Sequence, residues 1–315
     1  MLFEKKEAFC CDLLNPEVQV LHPGNTNCPG CGMSLALRWL ERALVNRRLT
    51  LCVPAGCAVV TSGAYPTTAL GVPAVATTFA SAAAVASGIS LVDTLNQENA
   101  LTICFAGDGA TYDIGTACIS ATAERNEDVI YICYDNEIYG NTGGQRSSAT
   151  PLSAVTTTTP GGKRHGKKDM MAIVIAHKVP YAATLSLAHT DDLIRKLRYA
   201  ADIHGFRFLL LHSPCPTGWK SDPQESVELD RLAVASGLFP LYEVFDGCRY
   251  RINARPDGTP LEEYFRRQGR FPRGVANPEI ARRFIREEWE YLEKMAATFP
   301  AEPLRADPGP LGAGR

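Results

Sequence analysis

The chain of 315 residues has almost no net charge: 32 Lys and Arg against 34 Asp and Glu leave a formal −2 at pH 7. That balance gives no reason to expect nucleic acid or an acidic partner. Long hydrophobic runs are also missing. The longest uncharged stretch, Cys52 to Val92, is rich in Gly, Pro, Ser and Thr and contains turn signals, so it does not read as a membrane span. The first residues, Met1-Leu-Phe-Glu-Lys-Lys-Glu7, are charged and lack a signal-peptide core, which makes the cytoplasm the expected compartment. There is no internal repeat and no second CxxC beside Cys28-Pro-Gly-Cys31. Without a secretion signal, eleven cysteines do not read as a disulfide framework. What is present, 45% apolar residues over this length, can bury a large core.

Two strand ends carry the first constellation. Gly107-Asp108-Gly109 closes the apolar run from Ala100 to Ala106, and Asn136 closes the run from Val129 to Tyr134. Magnesium wants six oxygen ligands at about 2.1 Å and usually shares them with phosphates. An Asp carboxylate and an Asn carboxamide at neighbouring strand ends can hold such a cation against a diphosphate. The glycines flanking Asp108 let backbone amides approach the anion, where a Cβ would stand in the way. Thr111 to Ala123 reads as a helix whose N-terminus would add partial positive charge beneath it. The 26 residues between Gly109 and Asn136 suffice for one helical crossover between parallel strands, whose carboxyl ends are where ligands bind in such sheets.

The second constellation is made of sulfur. Cys28-Pro29-Gly30-Cys31-Gly32 is a knuckle followed by a helical pattern with Leu37, Leu40 and Leu44 on one face. Cys57 follows the strand-like Leu49 to Val53 after a turn, and Cys215 follows Phe208 to Leu211 between two prolines. Four cysteines so placed suit an iron-sulfur cluster or a zinc site. Cys52, five residues before Cys57, competes as a third ligand but lies inside its strand and reads as core. Cys104, Cys118 and Cys133 also read as small apolar residues, while Cys10, Cys11 and Cys248 have no evident role.

Strand readings at Thr50–Pro54, Leu101–Ala106, Val129–Tyr134, Ala182–Leu185 and Phe208–Leu211 alternate with helical ones at Ser34–Val45, Phe79–Leu95, Thr111–Ala123, Met170–His177 and Asp191–His204, the last capped by Thr190. This predicts an α/β fold with a doubly wound, mostly parallel sheet over residues 1–221. Residues 222–315 read as a C-terminal extension. It holds a short helix at Asp230–Gly237 and a hairpin of Leu241–Val244 and Tyr250–Ile252 around Asp246-Gly247. A long helix from Asn277-Pro278, with Ile285, Trp289 and Leu292 on one face, and a tail from Glu302 complete it. That helix could wrap a partner subunit or pack on its own domain. The basic loop from Gly161 to Lys168, with Arg146, reads as solvated, or else as a contact for coenzyme A phosphates, a partner subunit or an acidic ferredoxin.

Together these stretches resemble the β subunit of the pyruvate:ferredoxin oxidoreductase (pyruvate synthase) family, the thiamine-dependent 2-oxoacid:ferredoxin oxidoreductases. The likeness rests on Cys28-Pro-Gly-Cys-Gly32, Gly56-Cys57, Gly107-Asp-Gly109 with Tyr112-Asp-Ile-Gly115, Asp135 to Gln145 with Ser147 to Pro151, and Pro214-Cys-Pro-Thr-Gly-Trp219, in that order. It implies the diphosphate-binding half of a thiamine diphosphate-binding fold. Cys28, Cys31, Cys57 and Cys215 would bind one [4Fe-4S] cluster, and Asp108, Asn136 and the Ile138 carbonyl would bind Mg2+. Cys57, Gly107, Asp108, Gly109, Ala110, Asn136, Ile138, Gly140, Asn141 and Thr142 would line the thiamine diphosphate, with Asn141 at its reacting end. Thr77 to Ser81 replaces an often more polar segment of relatives, and no catalytic role is assigned there.

The resemblance implies oxidative decarboxylation of pyruvate or a related 2-oxo acid, with coenzyme A as acceptor and electrons passing through the cluster to ferredoxin. An oxalate oxidoreductase β subunit of the same family, and a non-redox thiamine-dependent decarboxylase or ligase with structural zinc, are the alternatives. One α/β domain leaves no room for the pyrimidine-binding half, so an α subunit should complete the site. A ferredoxin-like cluster-carrying subunit or domain, and then external ferredoxin, should take the electrons onward.

Overall fold

The computed structural model describes residues 19–63, 66–274 and 277–302. Cys10, Cys11 and nearly all of the tail beyond Glu302 lie outside them. In chain order the elements are α1 (Gly32–Ala43), β1 (Arg48–Pro54), α2 (Cys57–Thr61), β2 (Ala74–Thr77), α3 (Ala82–Leu95), β3 (Ala100–Gly107), a π-type turn at Gly109–Asp113, α4 (Thr116–Glu124) and β4 (Ile130–Asp135). They continue with α5 (Met170–Ile175), β5 (Tyr181–Ser186), α6 (Thr190–Asp202), β6 (Arg207–His212), α7 (Pro216–Trp219), α8 (Ser226–Ala235), β7 (Leu241–Phe245), β8 (Arg249–Ala254), α9 (Leu261–Arg266) and α10 (Pro278–Thr298).

Eight strands form one sheet in the order β2-β1-β3-β4-β6-β5-β7-β8. The pairs from β2 through β5 are parallel, as the alternation with helices predicts, and β7 and β8 join antiparallel. The hairpin of the expected C-terminal extension therefore continues the sheet of the preceding α/β unit. Each strand feeds two cores because successive side chains point to opposite faces. Leu51 and Val53 of β1 pack with α1 and α6 on one face, whereas Cys52 joins α3, Cys104 and Cys133 on the other.

Several boundaries depart from the sequence reading. The expected Thr111–Ala123 helix begins two residues earlier as the π-type turn and breaks before α4. Gly115 sits at the break: a Cβ there would lie 2.0 Å from the Ala110 carbonyl oxygen, so the chain turns where only glycine fits. Thr190 is the first residue of α6 rather than its cap; His189 occupies the capping position without a side-chain bond to the helix, and Asp191 and Asp192 fill the acidic first turn. Strand β2 escaped the reading because it is short and mostly exposed at the sheet edge. Asn277 caps α10 through the Ile280 amide, and Trp289 and Leu292 are buried on its inner face, with Trp289 Nε1 donating to the Gly237 carbonyl at 2.9 Å.

Candidate functional site

The chain goes from β1 outward to β2 and then crosses to β3 on the other side, so the sheet has its topological switch point at the carboxyl ends of β1 and β3, the place where open α/β sheets bind ligands. Strands β1, β3, β4 and β6 are consecutive neighbours. Cys57 follows β1, Asp108 follows β3, Asn136 follows β4 and Cys215 follows β6, so four adjacent strand ends deliver these groups to one edge.

Asp108, Asn136 and Ile138 converge. One terminal atom of the Asn136 carboxamide lies 3.0 Å from Asp108 Oδ1 and 2.8 Å from the Ile138 carbonyl oxygen. With its nitrogen there, the amide donates to both; with its oxygen there, three oxygens face one another with no proton between them, the arrangement a hard cation draws together. The three residues are buried. Burial, and then the nearby Asp135 carboxylate, push the Asp108 carboxyl well above the ordinary range, against a bond from the Ser147 hydroxyl and the Lys167 charge. A cation would reverse that balance. Gly109 stands against Tyr139: a Cβ would lie 2.2 Å from its ring, whose hydroxyl donates to Asp113 at 2.6 Å.

Behind this loop lies a buried ionic chain. Lys167 Nζ sits 2.5 Å from Asp135 and 3.1 Å from Glu137, and Arg270 reaches Glu137 at 2.7 Å. The Tyr112 hydroxyl donates to Asp135 at 2.8 Å, Trp219 Nε1 donates to the Asn136 carbonyl at 2.8 Å, and the Arg270 guanidinium stacks 3.8 Å over the Trp219 ring. Burial raises the Glu137 carboxyl, yet Lys167 and Arg270 outweigh it and hold the group at about 2. Glu137 takes a positive φ of 62°, so the chain turns sharply between Asn136 and Ile138. The basic loop is thus only partly solvated. Arg164 and His165 are exposed, but Lys163 bonds the Ser148 and Thr150 carbonyls at 2.9 and 2.5 Å, and Lys168 bonds the Tyr112 carbonyl.

The cysteine knuckle closes on the same edge. The Cys31 amide donates to the Cys28 carbonyl at 3.1 Å, and the Gly32 amide donates to the Pro214 carbonyl at 3.0 Å, tying the knuckle to the Cys215 turn. Gly30 has a φ of 70° and packs against the Pro223 backbone, where a Cβ would lie 2.3 Å from the carbonyl oxygen. A Cβ on Gly140 would sit 3.6 Å from Cys215 Sγ and 4.0 Å from Cys57 Sγ, so the loop from Asn136 passes directly over the thiols. Burial and then Cys31, Cys28 and Asp108 push the Cys57 thiol up to about 11; burial, joined by the other three cysteines, pushes Cys215 to about 12. Thiols that oppose one another's ionisation across a shared space fit a cationic centre placed among them. Among the described residues no three His, Cys, Asp or Glu side chains draw together around a single ion position. Cys52 points away: it is fully buried, its thiol lies 3.2 Å from the Ala82 carbonyl, and it pairs in register with Cys104. Asn141 and Thr142 are exposed beside the thiols and the loop, and Thr142 bonds Gln145 at 2.5 Å.

The sequence reading missed Ser147, Lys167, Arg270 and Tyr112 as supports of this site. Tyr112 and Ser147 lay within quoted motifs; Lys167 and Arg270 are joined to the site only by tertiary folding.

Residues 54–211 match the family of the thiamine pyrophosphate enzyme, C-terminal TPP binding domain. The chain is 43% identical over 291 residues to ketoisovalerate oxidoreductase subunit VorB of Pyrococcus horikoshii, covering 88% of this chain and 93% of that one. It is 43% identical to pyruvate synthase subunit PorB of Methanothermobacter marburgensis, with 81% and 91% covered. Its fold superposes with a TM-score of 0.55 on a 2-oxoglutarate:ferredoxin oxidoreductase from Magnetococcus marinus, solved with 2-oxoglutarate, coenzyme A and succinyl-CoA, at 21% identity over 69% of this chain and 84% of that one. With a thiamine pyrophosphate domain ending four adjacent strands in this donor set, the chain belongs to the PorB and VorB family, the β subunits of the thiamine-dependent 2-oxoacid:ferredoxin oxidoreductases.

Proposed function

We propose that this chain holds thiamine diphosphate and Mg2+ through Asp108, Asn136 and the Ile138 carbonyl, and one [4Fe-4S] cluster through Cys28, Cys31, Cys57 and Cys215, within a hetero-oligomeric enzyme acting on pyruvate or a branched-chain 2-oxo acid. The observation that carries the reading is the delivery of Cys57, Asp108, Asn136 and Cys215 by four adjacent strand ends, with the Cys28–Cys31 knuckle tied to the Cys215 turn and Gly140 lying against Cys57 and Cys215. An all-sulfur set spread around a common space suits a cluster better than one zinc ion. When bound, the cofactor supplies a carbon nucleophile for a 2-oxo acid and the cluster a one-electron acceptor.

This chain's residues do the positioning. Gly107, Gly109 and Ala110 would line the diphosphate; the Asp135–Lys167–Glu137–Arg270 chain braces the loop that carries Asn136 and Ile138. Asn141 and Thr142, exposed beside the thiols, would lie beside the diphosphate or the reacting end of the cofactor. The described residues build one sheet, and its switch point is taken by the diphosphate half. An α subunit then supplies the pyrimidine-binding half, and a ferredoxin-like subunit or domain passes electrons to external ferredoxin. The functional unit is residues 1–221, with 222–315 as its extension, and the enzyme works in the cytoplasm. Among the described residues no helix is long and apolar enough to cross a membrane.

The test is anaerobic reduction of a viologen dye by the native complex with pyruvate, 3-methyl-2-oxobutanoate or oxalate and coenzyme A. Reduction with the first or second acid is expected. Reduction by oxalate alone, or none in a complex shown to hold iron and thiamine diphosphate, contradicts the proposal.

A further inference from the structure

A second cavity lies on the face of the sheet covered by α5 and α10. It encloses about 280 Å3, close to the lower end of the roughly 300–1,000 Å3 range of small-molecule sites, and its lining is mainly apolar, with Met171, Leu210, Phe239, Phe265 and Ile285 contributing. Its polar groups are distributed unevenly. Lys167 and Lys168 touch it, but their charges are engaged by Asp135, Glu137 and the Tyr112 carbonyl.

Asp169, where α5 begins, and Glu288, on α10, both line the cavity as well. Asp169 caps α5 through the Ala172 amide at 2.8 Å; Glu288 has neither an ion pair nor a hydrogen bond among the described residues. Burial, and then Asp169, push the Glu288 carboxyl up to about 7.

Two more polar side chains lie on the wall. Tyr242 is 6% exposed and its hydroxyl has no partner among the described residues, although its surroundings include both acids. His212 is 1% exposed; Asp230 holds its Nδ1 at 2.5 Å, and the other ring nitrogen makes no bond among the described residues. An apolar chamber with the unpaired Glu288 carboxyl, the capping Asp169 carboxyl at its exposed rim and the Tyr242 hydroxyl suits a ligand with an apolar body and a cationic head.

We propose that this cavity is a binding site for a small amphiphilic amine, its ammonium held by Glu288, Asp169 and the Tyr242 hydroxyl and its apolar body lying between α10 and the sheet. The site is separate from the thiamine and thiol edge. Glu137 and Lys167 belong to both its wall and the brace behind Asn136, so an occupant touches the back of the metal loop.

The test is isothermal titration of the full chain with phenethylamine, phenylacetate and ethylbenzene, with circular dichroism as the check on folding. Phenethylamine should bind one per chain, and phenylacetate at least about tenfold more weakly, the discrimination expected of a charge-assisted bond. Glu288→Gln should weaken the amine about tenfold while leaving ethylbenzene unchanged, and Ala281→Trp, which fills the chamber from α10, should abolish both. If Ala281→Trp does not fold, the ligand series and Glu288→Gln decide the matter alone. No saturable amine binding up to millimolar concentration, equal binding of amine and acid, or amine affinity untouched by Glu288→Gln would each overturn the proposal.

Discussion

Lys167→Met tests the brace behind the metal loop. The wild-type ammonium sits 2.5 Å from Asp135 and 3.1 Å from Glu137, whose side chains are 0% and 6% exposed, and its own is 26% exposed. Removing one partner of a buried ion pair costs roughly 3–5 kcal/mol, because the remaining charge stays buried without compensation. Here two carboxylates lose the lysine, but Arg270 still faces Glu137 at 2.7 Å and water reaches part of the Lys167 site. The expected loss is therefore near the lower bound, about 3 kcal/mol, read as a shift in urea midpoint at pH 7 with unchanged slope. The pH dependence is specific. Glu137 titrates at about 2 in the fold against an ordinary 4.5, so its contribution is complete above about pH 4.5 and disappears as pH falls towards 2. The stability gap between wild type and variant should narrow over that interval. Adding Asp135→Asn to Lys167→Met should recover part of the loss, since Asp135 is the buried carboxylate left with no cation. A loss below about 1 kcal/mol, the range of exposed pairs, would refute the reasoning.

Asp108→Ala and Asn136→Ala should each weaken thiamine diphosphate binding at least tenfold by titration with Mg2+ present, while iron content stays the same; unchanged affinity in both would remove the metal assignment. Gly109→Ala should destabilise the chain by about 1–3 kcal/mol, because its Cβ would lie 2.2 Å from the Tyr139 ring, and thermal unfolding will show whether it does. The chain free of other subunits should reduce no viologen dye with any 2-oxo acid, and adding its partner should restore turnover, with Asn141→Ala lowering turnover more than assembly. Appreciable activity of the chain alone would contradict the divided site.

Much of this organisation is legible in the sequence because the parallel strands other than β2 are largely buried apolar runs ending in an abrupt polar or glycine turn. Ile130 to Asp135 and Arg207 to His212 are buried at every position, so the ends of those runs, and with them Asn136 and Cys215, stand out. Cys52 could be separated from Cys57 for the same reason: one lies within a strand and the other after it. Strand β2 could not be seen in this way, since its four residues are mostly exposed and lack a run. Nor could the roles of Lys167 and Arg270. Their partners, Asp135 and Glu137, lie 30 or more residues away in sequence, and a lysine in a Gly/Lys/Arg loop looks the same whether it turns outward, as Arg164 does, or inward. The second cavity was equally hidden because its walls come from separated segments, each with an ordinary amphipathic pattern of its own.

The central claim is that sulfur from the Cys28–Cys31 knuckle and from two strand ends, at Cys57 and Cys215, holds a cluster beside the thiamine edge. It is tested most directly by iron and acid-labile sulfide analysis of the full chain purified without oxygen, with Cys57→Ser and Cys52→Ser alongside. The account predicts about four irons and four sulfides per chain, retained in Cys52→Ser and lost or degraded in Cys57→Ser. A single zinc with no sulfide in wild type, or an intact cluster in Cys57→Ser with its loss in Cys52→Ser, would contradict it.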